Sequence, residues 1–167
     1  MRGQPELYEL LEKLDIQFEY REHPPVATIE EATRHWKGIN AGRCKNIFLR
    51  NHKGNRHYLV ILEHLRDLNM RDLEQRLKQG KLSFASPERL KRYLGVEPGS
   101  VSPLGLVNDT DHHVYIFIDN KLLSFERLSF HPNVNTASIT ISRDDLIRFI
   151  EHHGNSYEFL ALYDDPQ

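Results

Sequence analysis

The chain has 167 residues, of which 39% are hydrophobic and 28% charged, and its net charge is -2. This composition is typical of one folded domain with a sizeable core and argues against a disordered chain. No stretch approaches the length of a membrane span, and the N-terminus lacks the pattern of a signal peptide. The single cysteine, Cys44, excludes an internal disulfide and indicates a reducing cytoplasm.

Hydrophobic spacing and capping residues predict the elements of the first part of the chain. Leucines at helical spacing predict a helix over residues 5–14, and alternation predicts a strand over 16–20. The sequence Thr28-Ile29-Glu30-Glu31 has the capping-box pattern and predicts a helix that ends at Gly38. A strand over 44–50 is expected to pair with 56–63 through a hairpin loop.

The remainder of the chain continues to intersperse helices and strands. We predict helices over 70–79, from Ser86-Pro87 to Gly95, and from the Ser142 cap to Gly154. Strands are predicted over 114–118 and 137–141, with the chain returning through 122–130. Because the strands cluster as hairpins in the middle, the order favours an α+β fold: a single domain with a mixed, mainly antiparallel sheet flanked by helices. We place the domain at residues 1–155 and a C-terminal tail at 156–167.

The predicted strand over 44–50 carries a lysine among aliphatic residues. Period-two geometry puts Lys45 on one face with Ile47 and Leu49, and puts Asn46 on the other face with Phe48. An ammonium in this setting either reaches water on its long stem or stays partly desolvated for a function, and the strand alone favours the first. If Asn46 works together with Lys45, either the strand has a bulge or Asn46 acts through its own face.

Two later segments are candidates for ligand contact. Three glycines and two prolines between Gly95 and Leu106 specify the backbone of a loop closely, and glycine lets backbone amides approach a ligand. A tight connection between a helix and a strand explains the same residues equally well. His131, which precedes Pro132, is by itself compatible with the cap of a turn.

Charge and metal-ligand patterns give weaker signals. Between Arg66 and Arg92 there are eight basic residues against four acidic ones, a local charge of +4 that could receive a phosphate backbone. An ordinary solvated surface explains this cluster as well. The ten histidines do not form a His-Glu-x-x-His pattern, so no metal is predicted, and Cys44 lacks an identifiable base.

Four stretches together carry a resemblance to a known family. The stretches are 23–32 (HPPVATIEEA), 44–49 (CKNIFL), 99–106 (GSVSPLGL) and 130–137 (FHPNVNTA). In this order and spacing they resemble the prolyl-tRNA editing domain family, which includes YbaK and the inserted editing domain of bacterial prolyl-tRNA synthetases. The last two are most similar to the free-standing branch called ProXp-ala or PrdX, which clears alanine from tRNA for proline.

The resemblance implies a fold like that of YbaK and the hydrolysis of an aminoacyl ester at the 3′ end of tRNA, without a cofactor. Lys45 matches the essential lysine of the family, and Asn46 accompanies it. The substrate-binding loop corresponds to Gly99, Ser100, Val101, Ser102 and Pro103. His131 matches the histidine near the terminal ribose. On the basic segment, we expect Arg89, Lys91 and Arg92 to contact the acceptor stem.

The resemblance leaves alternatives open. The family also contains members that clear cysteine or serine, and a non-catalytic tRNA-binding module of the same fold is a further reading. A monomer in the cytoplasm is expected, with tRNA as the partner, and the sequence leaves open whether a prolyl-tRNA synthetase takes part.

Overall fold

The structure is a computed structural model of the 167-residue chain, and it describes residues 1–25 and 41–161. The helix predicted from Thr28 to Gly38 lies outside the described residues. The described strands are β1 Glu19–Glu22, β2 Gly42–Arg50, β3 His57–Glu63, β4 Ser83–Phe84, β5 Tyr115–Asp119, β6 Arg127–Phe130, β7 Ala137–Ser142 and β8 Tyr157–Leu160. The described helices are α1 Pro5–Lys13, α2 Met70–Leu77, α3 Pro87–Leu94 and α4 Arg143–His153, with short 3₁₀ helices at Pro103–Asn108 and Asn120–Ser124.

All eight strands belong to one mixed sheet. Its order is β1-β7-β6-β2-β3-β5-β8, and β4 pairs with β2 outside this path. The pairs β2–β6, β3–β5 and β5–β8 are parallel, and the other pairs are antiparallel. The predicted α+β fold with a mixed sheet flanked by helices is therefore confirmed. Within the described part of the chain, no helix is both long and apolar enough to cross a bilayer.

The sheet separates two hydrophobic cores. The larger core packs α1, α3 and α4 against one face and includes Leu11, Phe48, Leu59 and Phe149. The smaller core lies on the other face. It includes Leu49, Val60, Leu62 and Phe117 of the sheet and Leu73 of α2. All seven residues of β3 are buried, as its continuous apolar sequence predicts for a strand covered on both faces.

Local signals place the helix ends correctly. The side chain of Ser86 accepts a hydrogen bond from the backbone N–H of Arg89 at 3.2 Å, and α3 ends at Gly95, whose φ is +67°. Ser142 caps α4 in the same way through the N–H of Asp145, and Gly154 ends it with φ +75°. These caps satisfy backbone groups that have no partner within the helix.

The end of the chain differs from the sequence prediction. Residues 157–160, assigned above to a C-terminal tail, form β8, which pairs with β5 in parallel from Ile116↔Tyr157 to Asp119↔Leu160. Residues 162–167 lie outside the described part of the chain. Strand β8 has no long apolar run, and its place in the sheet depends on a partner some forty positions earlier, so local pattern did not reveal it.

Another difference concerns the chain before β2. The strand predicted over 16–20 begins later in the structure, as β1 Glu19–Glu22. Ile16 lies before this strand, where it is only 3% exposed and packs into the larger core. The segment predicted to return through 122–130 contains a 3₁₀ helix at Asn120–Ser124 before β6.

Asn155 attaches the end of α4 to the segment that precedes β5, and its replacement should destabilise the fold. Its buried side-chain amide donates to Asp109 Oδ2 and to Val114 O, both at 2.8 Å. We expect Asn155→Ala to lower the free energy of unfolding by about 1–3 kcal/mol, since both acceptors lose a buried donor. Urea denaturation measures this change. Asn120→Ala, at an exposed position, serves as the control, and equal stability of the two variants would contradict this account of Asn155.

Candidate active site

Strand β2 changes partners along one of its edges. Its first edge pairs with β3 continuously from Cys44↔Glu63 to Arg50↔His57. On the second edge, among the described strands, it pairs with β6 at Gly42 and Arg43 and with β4 at Leu49 and Arg50. Between these pairings lie residues 44–48, of which Phe48 O accepts a bond from Ala85 N at 2.9 Å. Lys45 and Asn46 therefore lie where the sheet divides.

Lys45 projects from the face of β2 that carries the smaller core, as its spacing from Ile47 and Leu49 predicts. Its Nζ donates to the backbone carbonyl of Arg66 at 2.8 Å and to Asp67 Oδ1 at 3.2 Å. Its side chain is 38% exposed. The ammonium is thus held at the rim of an apolar surface by a loop that follows β3, and it remains accessible to a ligand.

Asn46 lies on the opposite face of β2. The register with β3 runs without a bulge, so the alternative in which a bulge brings Asn46 beside Lys45 is wrong. Within the described chain, Asn46 Oδ1 is buried and has no hydrogen-bond partner. A buried acceptor without a donor is costly, and such a group is a candidate for ligand contact.

The loop at Gly99–Pro103 begins with an exposed glycine, and the residues that follow it are fixed by hydrogen bonds and burial. Gly99 has φ +91°, which favours glycine, and a Cβ built on it would have only Asn135 Nδ2 near it, at 3.7 Å. Ser100 N donates to Glu97 O at 3.1 Å, and Ser102 Oγ accepts from Leu104 N at 3.1 Å. Ser100 and Ser102 are buried, and Val101 is half-buried against the larger core. Pro103 begins the 3₁₀ helix.

The segment after β6 lies beside this loop. Besides the approach of Asn135 to Gly99, Asn133 Nδ2 donates to Leu104 O at 3.4 Å. His131 follows β6 directly. The structure therefore brings the glycine loop next to the segment that carries His131.

The imidazole of His131 is fixed by its neighbours. Its Nδ1 donates to Ala137 O at 3.0 Å, which leaves Nε2 as the acceptor nitrogen of the neutral ring. The ring centre lies 5.9 Å from that of His23, which is buried and hydrogen-bonded to Ser138 Oγ at 2.8 Å. Burial, and to a smaller extent the neighbouring His23, lower the pKa of His131 below its usual value.

The predicted site residues thus fall into two groups. Gly99–Pro103 lies beside the segment that follows His131. Val101 of this loop and the adjoining Leu104 pack into the larger core, the side that Asn46 also faces. Lys45 faces the smaller core, and its described hydrogen bonds are to Arg66 and Asp67. Sequence reasoning missed Asp67 as a neighbour of Lys45. One signal in the sequence could have indicated this contact. Asp67 follows shortly after the predicted strand over 56–63, and Leu62 of that strand is the cross-strand partner of Lys45.

The chain is similar to known proteins over most of its length. A family model described as the aminoacyl-tRNA editing domain matches residues 23–149. The chain belongs to this family. "Prolyl-tRNA editing protein ProX" of Acetoanaerobium sticklandii is 36% identical over 152 residues, which cover 91% of this chain and 93% of that protein. "Prolyl-tRNA synthetase associated domain-containing protein 1" of Danio rerio is 36% identical over 148 residues, covering 87% and 80%.

Solved structures agree with the fold. A crystal structure described as that of a candidate trans-editing enzyme for prolyl tRNA synthetase superposes with a TM-score of 0.68 and 20% identity, covering 95% of this chain and 98% of that one. At this identity the likeness supports the fold alone. The resemblance to the editing family and the prediction of an aminoacyl-tRNA hydrolase are confirmed by the family match.

The basic residues predicted to contact tRNA differ in their surroundings within this editing domain. Arg89 Nη1 donates to Gly54 O and to His57 Nε2, both at 2.9 Å, so its guanidinium holds α3 against the β2–β3 hairpin. Lys91 and Arg92 are exposed on α3. Lys91 pairs with Glu97 at 3.5 Å, and Arg92 lies over the ring of Tyr93. Lys91 and Arg92 are therefore the better placed of the three for a phosphate backbone.

The Cys44 thiol and the possible metal-binding side chains of the editing domain do not form a second reactive site in the described residues. Burial raises the pKa of the Cys44 thiol well above its usual range, with smaller contributions from Glu63 and Asp119, so this thiol is a poor nucleophile. Within residues 1–25 and 41–161, no three histidine, cysteine or acidic side chains form a group that could hold a metal ion.

His131 should titrate below 6.5, the ordinary histidine value. Its folded-state pKa is lowered by burial, so the neutral ring contributes stability at neutral pH, and this contribution is lost as the pH falls below about 6.5. NMR titration of its ring protons measures the midpoint, with His131→Asn to assign the signal. A midpoint at or above 6.5 would contradict the buried placement.

Proposed function

We propose that this chain is a trans-editing deacylase that hydrolyses mischarged tRNA for proline, with alanyl-tRNA(Pro) as its preferred substrate. Membership of the aminoacyl-tRNA editing family carries this proposal. Relatives whose names refer to prolyl-tRNA editing or to prolyl-tRNA synthetase cover most of the chain and support the choice of tRNA. The choice of alanine rests on the resemblance of residues 99–106 and 130–137 to the ProXp-ala branch.

The reaction requires little covalent chemistry from the protein. Water attacks the carbonyl carbon of the aminoacyl ester, the bond to the ribose oxygen breaks, and that oxygen takes a proton as the free amino acid leaves. An aminoacyl ester is already activated, so positioning the reactants and stabilising the negative charge on the carbonyl oxygen are sufficient. In this proposal Lys45 supplies that stabilisation, because an ammonium at the rim of an apolar surface is a strong hydrogen-bond donor.

The remaining residues would bind the substrate. The backbone amides around exposed Gly99 are candidates for contact with the aminoacyl group. His131 has a fixed neutral tautomer whose Nε2 can accept a hydrogen bond from a ribose hydroxyl. Asn46 Oδ1 is a buried acceptor that a substrate N–H or O–H can satisfy. As in the family it resembles, the ribose hydroxyl would help to activate water, so a general base from the protein is not required.

There is a physical reason for an editing site that is separate from the proline pocket of the synthetase. A pocket shaped for proline cannot strongly reject a smaller amino acid, because each missing methylene changes binding by only about 1–3 kcal/mol. An editing site too small for proline but open to alanine removes the error. Of the residues that could form its walls, Ile47 and Val101 are half-buried, whereas Leu49 is fully buried within the smaller core. Ile47, which shares its face of β2 with Lys45, is therefore the better candidate.

The partner in this proposal is the acceptor end of tRNA for proline, bound by a monomeric protein in the cytoplasm. Association with a prolyl-tRNA synthetase is suggested by the names of the relatives. The exposed cations Lys91 and Arg92 would lie against the acceptor stem.

Lys45→Ala should nearly abolish deacylation while leaving the fold intact. The loss of one such donor lowers the rate by about 10²–10³-fold. The measurement is the rate of ester loss from alanyl-tRNA(Pro), with circular dichroism to confirm folding. Lys53→Ala removes an exposed lysine from the β2–β3 loop and serves as the matched control.

The same assay with cysteinyl-, seryl- and prolyl-tRNA for proline establishes the side chain that is removed. Faster loss of alanine supports the proposal, and faster loss of cysteine or serine moves it to another branch of the family. Full activity of Lys45→Ala would refute the role of the lysine. No ester loss by the unmodified protein would indicate a binding module.

Charge reversal at Lys91 and Arg92 should weaken tRNA binding. Each phosphate contact that is lost reduces the dependence of log Kd on log salt concentration by about one. Titration of tRNA at several salt concentrations measures this slope. Glu88→Lys, on the exposed start of the same helix, tests the opposite change and should not weaken binding. An unchanged slope in the double variant would place the stem contact elsewhere.

A further inference from the structure

Asp67 stands out beside Lys45 because its carboxylate is both close to the ammonium and open to solvent. The separation of Lys45 Nζ and Asp67 Oδ1 is 3.2 Å, and the side chain of Asp67 is 99% exposed. An ion pair with one partner fully in water contributes little to folding. The pair therefore adds little to the stability of the fold, and its two charges are open to a ligand.

The loop that carries Asp67 is held at both ends. Arg66 N donates to Glu63 O at 3.0 Å, and Leu65 N donates to Glu63 Oε2 at 3.1 Å. At the far end, the side chain of Asn69 caps α2 by accepting from Asp72 N at 3.0 Å. Since Arg66 O also accepts from Lys45, the backbone next to Asp67 is fixed relative to the ammonium.

We propose that Asp67 binds the α-ammonium group of the aminoacyl ester while Lys45 binds its carbonyl oxygen, an inference that rests on the proposed deacylase function. In an aminoacyl ester the α-nitrogen and the carbonyl oxygen are joined through two carbons and lie about 3 Å apart. The Lys45–Asp67 pair presents a cation and an anion at a similar spacing. A substrate laid alongside the pair therefore places each of its polar groups against the opposite charge.

The donors of Lys45 allow this arrangement. An ammonium has three N–H donors, and Arg66 O and Asp67 account for two of them in the described chain. The third is available for the carbonyl oxygen, and Arg66 O keeps the amine in place when the substrate ammonium takes over the contact with Asp67. Asp67 is thus a specificity residue for esters with a free α-amino group.

The test combines a change in the enzyme with a change in the substrate. Alanyl-tRNA(Pro) is compared with lactyl-tRNA(Pro), in which a hydroxyl replaces the α-ammonium at nearly the same size. Both are offered to the unmodified protein, Asp67→Asn, Asp67→Glu and Asp72→Asn. Asp67→Asn keeps a side-chain oxygen that can accept a hydrogen bond from Lys45 and removes only the negative charge. Asp72 pairs with Arg76 on α2 and serves as the matched control.

Asp67→Asn should lower kcat/KM for alanyl-tRNA(Pro) by about 10–100-fold, the range for a lost charge-assisted hydrogen bond. It should lower the rate for lactyl-tRNA(Pro) by a clearly smaller factor, because the neutral hydroxyl can donate a hydrogen bond to Asp67 but forms no ion pair with it. Asp67→Glu should restore most of the loss. Asp72→Asn should leave both rates unchanged. Comparing variants on one substrate cancels the different intrinsic lability of the two esters.

Two results would overturn the inference. Equal loss with both substrates would mean that Asp67 acts through Lys45 and not on the α-ammonium, and no loss with either would mean that it has no role. If the unmodified protein hydrolyses neither ester, the proposed function is itself wrong and the assignment of Asp67 falls with it. Activity of the unmodified protein on alanyl-tRNA(Pro) separates these cases.

Discussion

The pairing of β2 with strands on both of its edges determines where the candidate site lies. One edge is continuous with β3, whereas the other begins on β6 and ends on β4 among the described strands. Among the described strands, residues 44–47 have no partner on this second edge, so their backbone groups on that side are open to other contacts. Lys45 and Asn46 occupy this interval, and His131 follows the strand that leaves it. The site is therefore a consequence of the way the sheet divides.

Alternation along β2 gives adjacent residues different chemistry. Cys44 packs toward the larger core, where burial makes its thiol unreactive. Lys45, one residue later, reaches the opposite side and meets a backbone carbonyl and a carboxylate at a solvent-accessible rim. The charge of Lys45 is thus balanced without being buried, which keeps the amine in place while leaving it accessible.

Three of the described histidines, His23, His57 and His131, act as hydrogen-bonding groups within the structure. His57 is 1% exposed, bonds to His113 and Arg89, and has a pKa lowered by burial to about 4. His23 is hydrogen-bonded to Pro24 O and Ser138 Oγ, and His131 is hydrogen-bonded to Ala137 O. A buried neutral imidazole can accept a hydrogen bond where an ammonium would donate one. In the proposed function, this difference would give Lys45 and His131 complementary contacts with the substrate.

Local sequence determined the α+β character, the caps at Ser86 and Ser142, and the opposite faces of Lys45 and Asn46, because periodicity and capping act over a few residues. The tertiary structure alone decided that β8 joins the sheet, that Arg89 is hydrogen-bonded to the β2–β3 loop and that Asp67 lies beside Lys45. These features depend on contacts between segments far apart in the sequence, such as the parallel pairing of β5 with β8. No local pattern specifies the register of such contacts, since it is set by the packing of the whole sheet.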